Sequence, residues 1–198
     1  MNHTLRIVVA DDESDLRDYF RKMLPHLGHR LVAVAENGRD LVQLCKEQRP
    51  DLVITDIKMP DMDGIEAATE IYKSMALPVI LVSAYHDAAL IARAEADHIM
   101  GYLVKPIKQA DLEPVIALAM RRFQQFQELR KEAADLRQAL EDRKIIERAK
   151  GILMKKVQLD ENDAFRRLQK LASDKNLKLV EIARMVLTAD EAFQPPST

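Results

Sequence analysis

The chain has 198 residues, 47% of them hydrophobic and 31% charged, an ordinary soluble composition with room for one large domain or two small ones. Its single cysteine, Cys45, excludes an intramolecular disulfide, no apolar run approaches the ~20 residues that span a bilayer, and the N-terminus has no signal-peptide layout, so a cytoplasmic protein without a membrane partner is expected. The net charge of −2 conceals a gradient: residues 1–110 carry 13 Lys/Arg against 17 Asp/Glu, 111–141 carry 5 against 6, and 142–198 carry 12 against 9, which implies two jobs.

Residues 5–10 read as a first strand that ends in Asp11-Asp12-Glu13. Ser14 or Asp15 is positioned to cap a helix with Leu16, Tyr19, Phe20, Met23, Leu24 and Leu27 at helical spacing, and Gly28 stops it. Residues 31–35 form a second strand and Asn37-Gly38 a turn. Leu41, Val42, Leu44 and Cys45 mark a second helix closed by Pro50, with Cys45 a core residue rather than a nucleophile. The third strand, 52–56, is an apolar run ending in one carboxylate, Asp56. A third helix over 65–75, a fourth strand over 78–83, a short alanine-rich helix over 87–97 and a fifth strand over 101–104 follow, and then Lys105-Pro106.

Five alternations of short apolar strand and helix argue for an α/β fold with a parallel sheet covered on both faces and right-handed crossovers. The strand ends then place Asp11, Asp12, Asp56, Ser83 and Lys105 along one sheet edge, where open α/β sheets form their ligand crevices. Close carboxylates repel unless a cation intervenes, and an oxygen-only donor set suits Mg²⁺. With the metal in place Asp56 stays ionised and able to attack a phosphoryl group. Lys105 neutralises charge on that group, and the Ser83 hydroxyl bonds one of its oxygens.

Asp11-Asp12, Asp56, Met59-Pro60, Asp63-Gly64, Ser83-Ala84 and Lys105-Pro106 together resemble the receiver domain of two-component response regulators, over residues 1–120. The resemblance implies a flavodoxin-like fold and phosphorylation of Asp56 by a sensor histidine kinase. It implies Mg²⁺ held by Asp12, Asp56 and the backbone carbonyl of Lys58, with Asp11 acting through water. It also implies a switch pair of Ser83 and Tyr102, and a phosphate lifetime tuned at the Lys58 position. From the residues alone, Tyr102 also fits simple edge packing.

Leu112, Ile116, Ala119, Phe123 and Phe126 follow a 4-3-4-3 spacing, and Leu129, Ala133, Leu136 and Leu140 repeat 4-3-4, with a three-residue slip between 126 and 129. This predicts one long helix whose narrow seam over 111–141 suits a coiled coil. The functional reading is a dimerisation stalk that forms a homodimer when Asp56 is phosphorylated; the alternative is a seam packed on the chain's own third domain.

Residues 142–154 continue that helix. Asp160 is a good N-cap for a helix containing Ala164, Phe165, Leu168, Leu171 and Ala172; Asn176 ends it, and a last helix carries Leu179, Ile182, Ala183, Val186 and Leu187. Residues 194–198 read as a disordered tail. Lys144, Arg148, Gly151 and Lys155 fall on one helical face, with Arg143 and Lys150 nearby and Arg166 and Arg167 extending the patch. Glycine within a helix costs about 1 kcal/mol against alanine, and on a basic face it lets a phosphate backbone approach closely. The competing reading is a solvated charged face with Gly151 needed for close helix packing.

The run from Ile146 to Met154 (Ile146-Glu147-Arg148-Ala149-Lys150-Gly151-Ile152-Leu153-Met154), then Asp163-Ala164-Phe165 with Leu168, then Leu179-Val180-Glu181-Ile182-Ala183, is similar to the ANTAR domain, over residues 136–193. The resemblance implies a three-helix RNA-binding module. Such modules bind paired hairpins in a nascent leader transcript and keep a terminator from forming, which is transcription antitermination. The basic face has no stacking aromatic, so recognition would rest on backbone contacts and loop shape. DNA binding and a protein-interaction output are the alternatives; residues 178–188 offer only Lys178 and Arg184 as basic side chains, which disfavours a DNA recognition helix. The second half has no clustered His, Cys or carboxylates, so a non-enzymatic output is expected.

Overall fold

The computed structural model describes residues 4–84 and 99–192, so the expected helix over 87–97 and the expected tail over 194–198 lie outside the described residues. The chain divides into two compact units, Met1–Gln127 and Glu128–Thr198.

In the first unit, strands β1 (Arg6–Ala10), β2 (Arg30–Ala35), β3 (Leu52–Asp56), β4 (Val79–Ser83) and β5 (Ile99–Val104) form one sheet in the order β2-β1-β3-β4-β5, every pairing parallel. Side chains alternate across a strand, and the alternation makes two cores. Val8, Ala10, Val53, Val79 and Leu81 meet helices α2 (Gly38–Gln48) and α3 (Gly64–Ser74) on one face. Ile7, Val9, Ile54, Ile80 and Val82 meet α1 (Ser14–His26) and the start of α4 (Gln109–Val157) on the other. Cys45 belongs to the first core; burial pushes its thiol up to about 12.

The caps explain most helix ends. The Asn37 side chain accepts the N–H of Asp40 and the Asp63 side chain that of Glu66, so both residues start helices as N-caps. At α1 the cap position falls on Glu13, with no side-chain capping bond, rather than on Ser14 or Asp15. Gly28, at φ +80°, sits just past the end of α1.

Helix α4 reaches further toward the N-terminus than the seam predicted and carries Pro114 inside it. The first part of the expected coiled-coil seam is not a pairing surface. Leu112, Ile116 and Ala119 are fully or almost fully buried in the sheet core, with Phe123 and Phe126 packed against it. Burial of Leu112 and Ile116 contributes roughly 1.5–3 kcal/mol each, and a five-stranded sheet needs this helix to cover the face it shares with α1. The three-residue slip after Phe126 falls where the first unit ends. Beyond it Leu129, Leu136 and Leu140 are 65%, 61% and 55% exposed.

The second unit holds the rest of α4 with α5 (Glu161–Lys175) and α6 (Leu179–Ala192). Its core is Ala149, Leu168, Ala172, Ile182 and Ala183, with Ile145, Leu153, Leu179 and Val186 packed on it. Asp160 caps α5 through the Asp163 N–H, and Asn176 closes it in the left-handed conformation. At the start of α6 the Glu181 side chain accepts the N–H of Lys178. Lys156 pairs with Asp190 and Arg184 with Asp142, each pair joining α4 to α6.

Candidate functional site

The sheet reverses its strand order at β1, between β2 and β3, and the crevice beyond the carboxyl ends of β1 and β3 is where such folds bind ligands. Ala10 pairs in register with Thr55, so Asp11 leaves β1 beside Asp56 at the end of β3. Asp11 is fully buried and Asp56 is 6% exposed; Asp12 is exposed. Carboxylate oxygens of Asp11, Asp12, Glu13 and Asp56 lie within 4.8 Å of one another.

The backbone around these groups is held tightly. Asp11 Oδ1 accepts the Glu13 N–H at 2.9 Å, and Asp56 Oδ1 accepts the Ile57 N–H at 2.8 Å. Arg17 on α1 donates to the carbonyls of Asp11 and Asp12 at 2.9 and 2.8 Å and to Glu36 at 2.7 Å, which ties the acidic loop to the end of β2. Gly64 stacks on the Asp56 carbonyl so closely that a Cβ there would stand 2.0 Å from its oxygen. Gly38 likewise leaves room for the Met62 carbonyl, which accepts its N–H at 3.2 Å. These two glycines fix the loop that carries Lys58, an exposed residue two positions past Asp56.

Lys105 follows β5. Its main-chain N–H bonds the Ser83 carbonyl at 2.8 Å, and its ammonium lies 2.7 Å from Glu13 Oε1, 3.0 Å from Asp56 Oδ2 and 3.2 Å from Asp11 Oδ2. Burial raises the pKa of Asp11 and of Asp56, against the pull of their backbone hydrogen bonds and of Lys105. Burial acts on Lys105 in the opposite sense, but its bonds to Glu13 and Asp56 outweigh it and hold the ammonium charged. Ser83 is half-buried at the end of β4, opposite Val104, and Tyr102 is 38% exposed on β5. The structure thus brings Asp11, Asp12, Asp56 and Lys105 together, with Ser83 at the end of β4 anchoring the Lys105 main chain through its carbonyl.

Several carboxylates facing one ammonium leave the pocket negative. Asp11 Oδ2 is buried and accepts no hydrogen bond among the described residues, although the ammonium is near. An all-oxygen set with an orphaned buried lone pair fits a hard divalent cation such as Mg²⁺. Glu13, the third carboxylate on Lys105, is the residue that sequence reasoning missed. The run Asp11-Asp12-Glu13 was visible, but its partner is 92 residues away.

In the second unit the expected basic residues separate into two groups. Arg143, Lys144, Arg148, Lys155, Arg166 and Arg167 are exposed; Lys144 pairs with Glu141 at 2.7 Å and Arg166 with Asp163 at 3.9 Å, both local contacts. Lys150 stands apart from the exposed members of the expected basic patch. It is 7% exposed, and its ammonium lies 2.9 Å from Glu147 and 2.8 Å from Glu161, and 5.9 Å from the centre of the Phe165 ring. Those bonds raise its pKa and lower that of Glu161. It fastens α4 to the start of α5. Gly151, next to it, would carry a Cβ with nothing within 4 Å. Close helix packing is therefore not the reason for the glycine.

Residues 7–117 match the response regulator receiver domain, and residues 134–187 match the ANTAR domain. The chain is 40% identical over 182 residues to the transcriptional regulatory protein PdtaR of Mycobacterium tuberculosis, covering 92% of this chain and 89% of that one. Among solved structures it is similar to the signal receiver domain of a modulated diguanylate cyclase from Desulfovibrio desulfuricans, at 26% identity and a TM-score of 0.58, over 62% of this chain and 98% of that one. It is similar as well to the receiver domain of the response regulator NarL from Mycobacterium tuberculosis, at 26% identity and a TM-score of 0.55, over 60% of this chain and 98% of that one.

Proposed function

The chain belongs to the response regulators that join a receiver domain to an ANTAR domain, and we propose that it is a phosphorylation-controlled RNA-binding antiterminator. A sensor histidine kinase is the phosphodonor. An Asp56 carboxylate oxygen attacks the phosphorus of the kinase phosphohistidine; the new P–O bond forms as the P–N bond breaks, and the imidazole leaves with a proton. Asp11, Asp12, Asp56 and the Lys58 carbonyl would hold Mg²⁺, which when bound neutralises phosphoryl charge and keeps Asp56 ionised. Lys105 meets the phosphoryl oxygens as an ammonium, Ser83 donates its hydroxyl to one of them, and Tyr102 follows Ser83 as the switch partner. The exposed seam of Leu129, Leu136 and Leu140 then pairs with a second copy.

The output is the face of Lys144, Arg148, Gly151 and Lys155, its basic residues exposed and Gly151 half-buried between them, extended by the exposed Arg143, Arg166 and Arg167. The observation that carries this reading is Gly151. A glycine inside a helix, at about 1 kcal/mol of lost stability, with open space where its Cβ would be and basic residues one turn to either side, leaves room for a ligand's backbone rather than for the protein's own. The ligand is polyanionic, and paired leader hairpins fit the ANTAR match. Duplex DNA fits less well: Arg184, one of the two basic side chains in 178–188, lies 3.7 Å from Asp142. The ANTAR match supports an RNA-binding output rather than a catalytic one, and among the described residues no helix is long and apolar enough to cross a membrane.

The test is to crosslink the full chain to cellular RNA with and without an acyl phosphate donor and to sequence what is bound. Paired hairpins upstream of terminators, enriched by the donor and lost in Asp56→Asn, are expected. Enrichment of duplex DNA, or equal RNA recovery from Asp56→Asn, would sink the proposal.

A further inference from the structure

An ammonium has three protons, and Lys105 faces three carboxylates: Glu13 at 2.7 Å, Asp56 at 3.0 Å and Asp11 at 3.2 Å. Two of these contacts, to Glu13 and Asp56, are hydrogen bonds, and a phosphoryl group on Asp56 brings further anionic oxygens that compete for the same ammonium. Asp11 cannot leave. It is fully buried, its Oδ1 is fixed by the Glu13 N–H, and its carbonyl is held by Arg17. Asp56 is the reacting group and stays. Glu13 is the one that can go: its side chain is 62% exposed. It also occupies the N-cap position of α1 without making a capping bond, so the side chain reaches away from the helix end to Lys105.

We propose that Glu13 is a latch on Lys105, a positioning residue that holds the ammonium in the resting chain and releases it to the phosphoryl group, and so slows phosphorylation. The inference rests on Asp56 being the phosphoacceptor. An exposed ion pair is worth about 0.2–1 kcal/mol, so release should speed phosphorylation by about 1.5- to 5-fold.

Two variants separate the latch from simple charge repulsion of an anionic donor. Glu13→Gln removes the charge. Glu13→Asp keeps it but shortens the reach by about one bond, ~1.5 Å, and aspartate at this position is a good cap for α1 instead. The full chain is phosphorylated with acetyl phosphate and Mg²⁺, and its initial rate is read from intact mass. In parallel, metal-free resting protein is reductively methylated and the Lys105 peptide is followed by mass spectrometry. The latch predicts faster phosphorylation and faster Lys105 methylation in both variants. Acceleration in Glu13→Gln alone would mean repulsion and overturn the latch, as would unchanged Lys105 reactivity. If the wild type takes up no phosphoryl group, the reading of Asp56 has failed, while the methylation comparison still decides whether Glu13 holds Lys105.

Discussion

Gly151→Ala should make the second unit more stable and its RNA binding worse. Alanine gains about 0.8–1.0 kcal/mol over glycine in a helix interior, and here nothing opposes the gain, because the new methyl meets no atom within 4 Å. For a unit of this size that is roughly 4–8 °C in Tm. The same methyl stands where the RNA backbone is proposed to approach. Loss of one charge-assisted contact, about 1.5–3 kcal/mol, weakens binding by a factor of about 10 to 150. The full chain would be followed by scanning calorimetry for the second-unit transition. Binding would be followed by fluorescence anisotropy against a labelled pair of leader hairpins, with phosphodonor present. A lower Tm would show that the glycine serves packing after all. A raised Tm with unchanged affinity would remove the face around Gly151 from the interface.

Asp11→Asn should raise the melting temperature of the first unit at neutral pH while weakening Mg²⁺ binding in titration calorimetry. Burial raises the folded pKa of Asp11 above its ordinary 3.8, so the fold favours the neutral form; that contribution is present below 3.8 and is lost as pH rises through the folded value. An Asn keeps the acceptor for the Glu13 N–H and removes the buried charge. Lys150→Gln should lower the second-unit transition at neutral pH. Glu161 is shifted below its ordinary 4.5 and Lys150 above its ordinary 10.5, so the tie is complete between those values; the gap between wild type and variant should close as pH falls below 4.5, and a gap that persists in acid would refute the role of the ion pair.

The receiver half was legible because each strand announces its own end. The residues 52–56 are buried on both faces, and a carboxylate closing an apolar run that short has few places to be other than the sheet edge. What escaped were contacts across long separations. Lys150 sits one residue from Ala149 in the basic stretch that runs from Arg143 to Lys156, and nothing local distinguishes it from Arg148; the clue was a pair of carboxylates, Glu147 three residues before it and Glu161 just past the cap of the next helix. The seam over 112–126 misled for a different reason. A helix that covers a sheet and a helix that pairs with another show nearly the same apolar period, and only the count of helices needed for two sheet faces separates them. Gly151 could not be resolved in sequence at all, since packing and ligand approach both ask for a missing Cβ; the open space around it decides.

Cys45 lies in the core with its thiol pushed up to about 12 by burial, so at neutral pH it stays the unreactive thiol rather than the thiolate. Thiol-directed alkylating reagents and disulfide-forming oxidants should therefore pass it by. A cysteine introduced at position 136, where Leu136 is 61% exposed, would then be the lone accessible thiol in the protein. The buried thiol thus leaves disulfide trapping free to report, without background, when two copies bring that stretch of helix together.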